Sequence, residues 1–348
     1  LIDFPAFRPR PPWLGPDLQT VRNFLVRPSI DLAPWPGRVL ELPMRDDSGD
    51  RLVGILHDAG RSEGSTLAIL IHGLTGCSES TYVLATARHL LERGFGVLRL
   101  NLRGAGPSRA LCRWSYHAGR SQDIRDAIAA LPPDIVGKGV VAVGYSLGGN
   151  VLLKLLGENG RASNGGRAPI RAAVAVSAPI ALSSASRRFS AARNWLYQKH
   201  LLFNLKREMV RDNAPLDERQ RAAAVGARTL YEFDDRVVAP VNGFMSAEDY
   251  YARSSSKGYL ADVAVPALLI HADDDPWISA EDYAAVDWSA NPNLLPLVPR
   301  GGGHVGFHGA GDPVPWHDRC IAQFFGAVLS ARAGDHRAFS AVAASNAQ

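Results

Sequence analysis

The stretch Val143-Gly144-Tyr145-Ser146-Leu147-Gly148-Gly149-Asn150 constrains this chain more than any other. It follows an apolar, β-rich run from Gly139 to Val143 and opens a helical pattern from Asn150 to Leu156. Strand, sharp turn and helix therefore meet at a Gly-x-Ser-x-Gly. A serine on such an elbow sits at a strained backbone position, and a Cβ on either flanking glycine would crowd the turn. The strain lifts the hydroxyl above the sheet edge. It also puts the Leu147 N–H at a helix N-terminus, where an oxyanion can be held. Ser146 is expected to be a nucleophile; the plainer alternative is a serine that only caps a helix.

The other parts of a hydrolytic site follow along the chain. Thr66 to His72 reads as a buried strand ending in His72-Gly73-Leu74-Thr75-Gly76. A loop at this point can supply a second oxyanion donor, and Leu74 is the expected one. His72 is expected to be structural, bonding loop backbone. Pro266 to His271 reads as another buried strand, running into Ala272-Asp273-Asp274-Asp275-Pro276-Trp277-Ile278. The spacing of small residue, acid and aliphatic points to Asp275 as the acid, with Asp274 one register away. The spare aspartates read as a solvated turn or a helix cap near Ser279. Leu294 to Val298 reads as a last strand, followed by Gly301-Gly302-Gly303-His304. The glycines let His304 swing over the serine; His308, beyond the turn, is the rival. The order Ser, Asp, His is that of an α/β-hydrolase triad, in which the histidine is general base and the aspartate fixes its tautomer.

From Thr66 onward strands and helices alternate, the signature of a parallel sheet. The expected fold is an α/β-hydrolase: a mostly parallel eight-stranded sheet, helices on both faces, and a helical cap. Val39 to Met44 and Arg51 to His57 are expected to pair antiparallel across an Asp-rich turn. Residues 1–37 hold eight of the 23 prolines and are expected to be an extended arm. The core is expected over 38–178 and 263–330, the cap over 179–262 and a loose tail over 331–348. Within the cap, Trp195, Tyr197 and Phe203 are expected to wall the substrate pocket.

The region Ile180 to Arg228 carries ten Lys/Arg against four acids, an excess larger than the whole chain's formal +4. The plain reading is an amphipathic cap helix with a solvated basic face. The sharper one is peripheral contact with anionic lipid. Nucleic acid fits poorly beside a complete hydrolase constellation. No metal-ligand spacing, phosphate loop or dinucleotide fingerprint is present, so no cofactor or metal is expected. Three cysteines give no disulfide framework and suit a reducing cytoplasm; Cys77, near the oxyanion loop, reads as a buried filler. No apolar run approaches the about 20 residues of a membrane span, and the first residues lack the layout of a signal peptide.

Several motifs go beyond the general fold: Asp17-Leu18-Gln19-Thr20, Asn101-Leu102-Arg103-Gly104, Tyr116-His117-Ala118-Gly119, Phe233-Asp234-Asp235 and Asp249-Tyr250-Tyr251. With the triad motifs they make the chain resemble the YheT-like α/β-hydrolases, related to the plant EMB8 protein and the ABHD1/ABHD3-type hydrolases, from about Phe7 to Phe325. The family typically has His where this chain has Asp17, a departure distant in sequence from the triad. The resemblance implies hydrolysis of carboxylic esters, with Ser146, Asp275 and His304 as triad. A carboxylesterase for short to medium acyl chains is expected first. A lipase or phospholipase at a membrane surface is the alternative, and a ligand-binding protein on a hydrolase scaffold is the third reading.

Overall fold

Strand order explains how distant motifs reach one edge. The computed structural model describes residues 2–58, 65–137, 139–162, 168–211 and 214–331. Its strands are β1 (Arg38–Pro43), β2 (Arg51–His57), β3 (Leu67–Ile71), β4 (Gly96–Leu100), β5 (Val140–Tyr145), β6 (Ile170–Val176), β7 (Ala267–Ile270) and β8 (Leu294–Leu297). They form one eight-stranded sheet in the order β1-β2-β4-β3-β5-β6-β7-β8. β1 and β2 pair antiparallel, as do β2 and β4, and every other pairing is parallel. The expected sheet is therefore the observed one.

The central strands are buried on both faces, which is why they read as unbroken apolar runs. Alternate side chains feed two cores. Leu67, Ile69 and Ile71 pack on one face with the helix Leu147–Arg161; Ala68 and Leu70 pack on the other with the helices Thr81–Leu91 and Trp316–Ser330. Parallel pairing points the C-terminal ends of β3, β5, β7 and β8 the same way. The loops carrying His72, Ser146, Asp275 and His304 all leave from that edge.

Between β6 and β7 the described residues contain no strand. Helices run over Leu182–Phe189, Trp195–Met209, Glu218–Gly226 and Ala247–Ser254, with a π-helical turn at Asp234–Val238.

The N-terminal arm departs from expectation: Pro16–Val26 is an α-helix, not extended chain. Proline count misled because Pro16 sits at the first helical turn, where its missing N–H costs nothing. The next proline is Pro28, so the helix interior contains none. The expected tail at 331–348 lies outside the described residues apart from Ala331.

Candidate active site

Ser146 has φ 50° and ψ −120°, a conformation that side-chain-bearing residues rarely adopt. It follows β5 and stands at the N-cap position of the helix Leu147–Arg161 without a capping side-chain hydrogen bond. The flanking glycines are sterically required. A Cβ on Gly144 would lie 2.5 Å from the Gly148 carbonyl oxygen, and one on Gly148 would lie 2.4 Å from the His72 carbonyl oxygen.

The Ser146 hydroxyl lies 2.9 Å from His304 Nε2, and His304 Nδ1 lies 2.8 Å from Asp275 Oδ2. A carboxylate at Nδ1 fixes the proton there, leaving Nε2 to accept from serine. Asp275 is fully buried. Burial pushes its carboxyl up, but His304, His271 and the Trp277 N–H hold it below the usual carboxylate value; Oδ1 accepts from the Trp277 and Ile278 N–H groups at 2.8 and 3.0 Å. The Trp277 ring lies against the His304 imidazole, with centroids 4.2 Å apart.

The three aspartates have distinct partners. Asp275 takes His304, Asp274 Oδ1 accepts from the Gly303 N–H at 2.8 Å, and Asp273 Oδ1 accepts from the Gly301 N–H at 2.7 Å. The spare pair forms a turn, exposed at Asp273, whose carboxylates also pin the glycine loop. Ser279 caps the next helix itself.

Leu74 and Leu147 both line the cavity at Ser146. Among the described residues neither backbone N–H has a hydrogen-bond partner. The loop bearing Leu74 is held from two sides. His72 Nε2 accepts from the Leu102 N–H at 3.0 Å, so Nδ1 carries the proton and donates to the Gly73 carbonyl at 2.8 Å. Burial lowers His72 to about 4 and keeps it neutral. The Tyr116 hydroxyl accepts from the Thr75 N–H at 2.7 Å and donates to Glu208 at 2.8 Å. Burial pushes Glu208 up to about 6.

The cavity has a volume of about 110 Å³ and a largely apolar wall that includes Leu182, Phe189, Leu201, Leu205 and Met209. Here the expectation for the cap residues needs correction. Trp195 and Phe203 are 57% and 59% exposed and do not line the cavity; nor does Tyr197, which meets Trp277 and Asp17 instead. They lie on the wrong side of the helix Trp195–Met209. Its inward stripe runs Gln198, Leu201, Leu202, Leu205, Met209, at helical spacing.

Sequence reading missed the support given by the N-terminal helix. Thr20 Oγ1 accepts from the His304 N–H at 2.8 Å, and Gln19 accepts from the His308 N–H at 2.7 Å. Burial pushes His308 down to about 3, and its Nε2 has no partner among the described residues. Asp17 accepts from Arg193 and from the Tyr197 hydroxyl, each at 3.0 Å. The motif Asp17 to Thr20 stood out by resemblance alone, without a signal for where it would dock.

A mostly parallel eight-stranded sheet with a strained serine after its fifth strand defines the α/β-hydrolase class. A family model of the alpha/beta hydrolase fold matches residues 68–310. The YheT protein of Escherichia coli is 30% identical over 324 residues, covering 90% of this chain and 91% of that protein. A monoacylglycerol lipase of Saccharomyces cerevisiae is 28% identical, covering 75% of this chain and 59% of that protein. Among solved structures, the Pyrococcus furiosus esterase Pf2001 superposes with a TM-score of 0.58 at 17% identity, covering 94% of this chain and 99% of that one, a likeness of fold. The chain belongs to the α/β-hydrolase family, in its YheT-like branch.

Proposed function

We propose that the protein is a carboxylic ester hydrolase working through an acyl-enzyme intermediate, with Ser146 as nucleophile, His304 as general base and Asp275 as the triad acid. One observation carries this reading: the unbroken relay from Ser146 Oγ through His304 to buried Asp275. The serine hydroxyl is a weak nucleophile until an adjacent base takes its proton. His304 Nε2 accepts that proton as Oγ attacks the ester carbonyl, and returns it to the leaving alkoxide. Asp275 stabilises the imidazolium formed between the two steps. The N–H groups of Leu74 and Leu147 receive the developing oxyanion, each worth about 3 kcal/mol in comparable sites. Water then repeats the sequence on the acyl-enzyme.

The helical segment 179–262 acts as a cap whose inner face supplies the acyl wall. The small volume of the cavity supports short to medium acyl esters. Three unpaired cysteines fit a cytoplasmic setting. Naming of relatives as monoacylglycerol lipase and phospholipase supports ester chemistry on lipids as the second reading. A panel of p-nitrophenyl esters from acetate to palmitate tests both. Highest kcat/KM at short to medium length supports the first, and a steady rise to palmitate replaces it with the second. No turnover of any ester by protein with an intact fold contradicts both.

A further inference from the structure

Thirteen large hydrophobic side chains are strongly exposed among the described residues, and eight of them belong to or adjoin two helices, Pro16–Val26 and Trp195–Met209. Phe24, Leu25, Val26, Trp195, Leu196 and Phe203 are each 46–71% exposed. The two helices lie side by side. The Phe24 ring meets the His200 ring edge-on at 5.7 Å, and Asp17 binds both Arg193 and Tyr197. Their apolar residues therefore share one surface. Monomeric proteins rarely leave such a grouping in water without a use for it.

The charges on this surface are ordered. Each of its exposed phenylalanine and tryptophan rings carries a cation: Arg27 lies 5.5 Å from the Phe24 centroid, Lys199 5.5 Å from Trp195, and Arg207 5.6 Å from Phe203. The two helices hold two acidic residues, and neither offsets these cations. Asp17 is engaged by Arg193, and Glu208 accepts from Tyr116 below the helix. Aromatic rings beside long basic side chains are what a lipid interface selects, since rings sit at headgroup depth while the cations meet phosphate and carboxylate. A two-fold contact between copies of the chain would instead bring Arg27, Lys199 and Arg207 against like charge.

We propose that the outer faces of these two helices form one docking surface for an anionic lipid bilayer. The opposite face of Trp195–Met209 contributes Leu201, Leu205 and Met209 to the cavity at Ser146. A docked membrane therefore lies one helix away from the ester site. This placement rests on the proposed hydrolase reading for its purpose, but binding to lipid does not require turnover.

Flotation with vesicles of phosphatidylcholine alone, or with one third phosphatidylserine, tests the surface. The wild-type protein is expected to partition at least about 10-fold more strongly onto the anionic vesicles, and to be released by high salt. Arg27→Glu with Lys199→Glu should lower that partitioning by about 10-fold or more. Phe24→Ser with Leu196→Ser should weaken it while salt sensitivity remains. Turnover of a water-soluble short ester serves as the check on folding and should change less than about 2-fold in either double variant. Equal partitioning onto both vesicle types, or indifference to both double variants, overturns the proposal. So does concentration-dependent dimerisation that Phe24→Ser with Leu196→Ser abolishes in protein that ignores vesicles. Ester turnover without vesicle binding removes the docking surface alone; vesicle binding without any ester turnover removes the hydrolase reading alone.

Discussion

The backbone N–H of His304 donates to the side-chain oxygen of Thr20 across 284 positions of sequence, at 2.8 Å. Thr20 in turn donates to the Pro16 carbonyl at 2.7 Å, so its single proton is committed and its lone pairs face the histidine loop. The N-terminal helix is thus a buttress for the proposed general base. Crowding agrees: a Cβ on Gly303 would lie 2.4 Å from the Pro16 carbonyl oxygen, and one on Gly306 would lie 2.5 Å from that of Gln19.

Thr20→Val keeps the shape and removes the acceptor. It is expected to lower kcat by about 10- to 100-fold with little change in KM, because the imidazole loses its placement while the acyl wall is untouched. Thr20→Ser should restore most of the rate. Steady-state kinetics on one soluble ester decides this; an unaltered kcat in Thr20→Val would show the loop holds itself.

Asp275→Asn should cost roughly 10⁴-fold in kcat, since an amide at Nδ1 permits the wrong tautomer. Asp274→Asn should cost far less, about 10-fold, through a looser Gly303. Measuring both variants side by side assigns the acid. A larger loss in Asp274→Asn would reverse the assignment.

How far these relations were legible in the sequence depends on whether they are local. The elbow, the oxyanion loop and the glycine loop are each set by a few adjacent residues at a strand end, so local pattern was enough to single out Ser146, Leu74 and His304 as candidates. Short, mostly apolar runs marked β3 to β8 for the same reason, even with Arg99 in β4 and Arg171 in β6. The partners of Asp273, Asp274 and Thr20 come from segments far away in sequence, and periodicity carries no information about them. Trp195 and Phe203 failed differently. Aromatic character suggested a pocket wall, but the helical phase of Leu201, Leu205 and Met209 decides which face turns inward.

That phase yields a chain-length prediction. Leu205→Trp should fill part of the cavity and lower the octanoate-to-acetate ratio of kcat/KM by about 10-fold, at the scale of a few lost methylene contacts. Trp195→Ala should leave the ratio for soluble esters unchanged. A ratio that moves with Trp195 and not with Leu205 would place the acyl wall on the outer face.

Buried carboxyls set the pH dependence of stability. The Thr86 hydroxyl is in reach of the Tyr82 carbonyl at 2.9 Å and also contacts the Tyr145 hydroxyl and Asp318. Its one proton serves Tyr82, so a protonated Asp318 and the Tyr145 hydroxyl can both donate to it. Burial pushes Asp318 up to about 8 and Asp234 up to about 7, from an ordinary 3.8. Between those values the folded protein holds protons that the unfolded chain has released. Below about 6.5 the buried histidines, His72 and His308 among them, act in the opposite sense, so stability is expected to fall as pH rises from about 6.5 to 8, counter to a salt-bridged carboxylate. Thermal melts across that range should show a declining midpoint, with the slope reduced by roughly half in Asp318→Asn. A midpoint that rises over the same range would contradict the buried neutral acid.

Fluorophosphonate labelling, read by intact mass and peptide mapping, decides whether Ser146 is the nucleophile. One adduct per wild-type chain is expected, carried by Ser146, and none in a folded Ser146→Ala protein. Labelling of Ser146→Ala at wild-type rate on another residue, or a wild-type protein that hydrolyses esters while its Ser146 stays unmodified, would contradict that role.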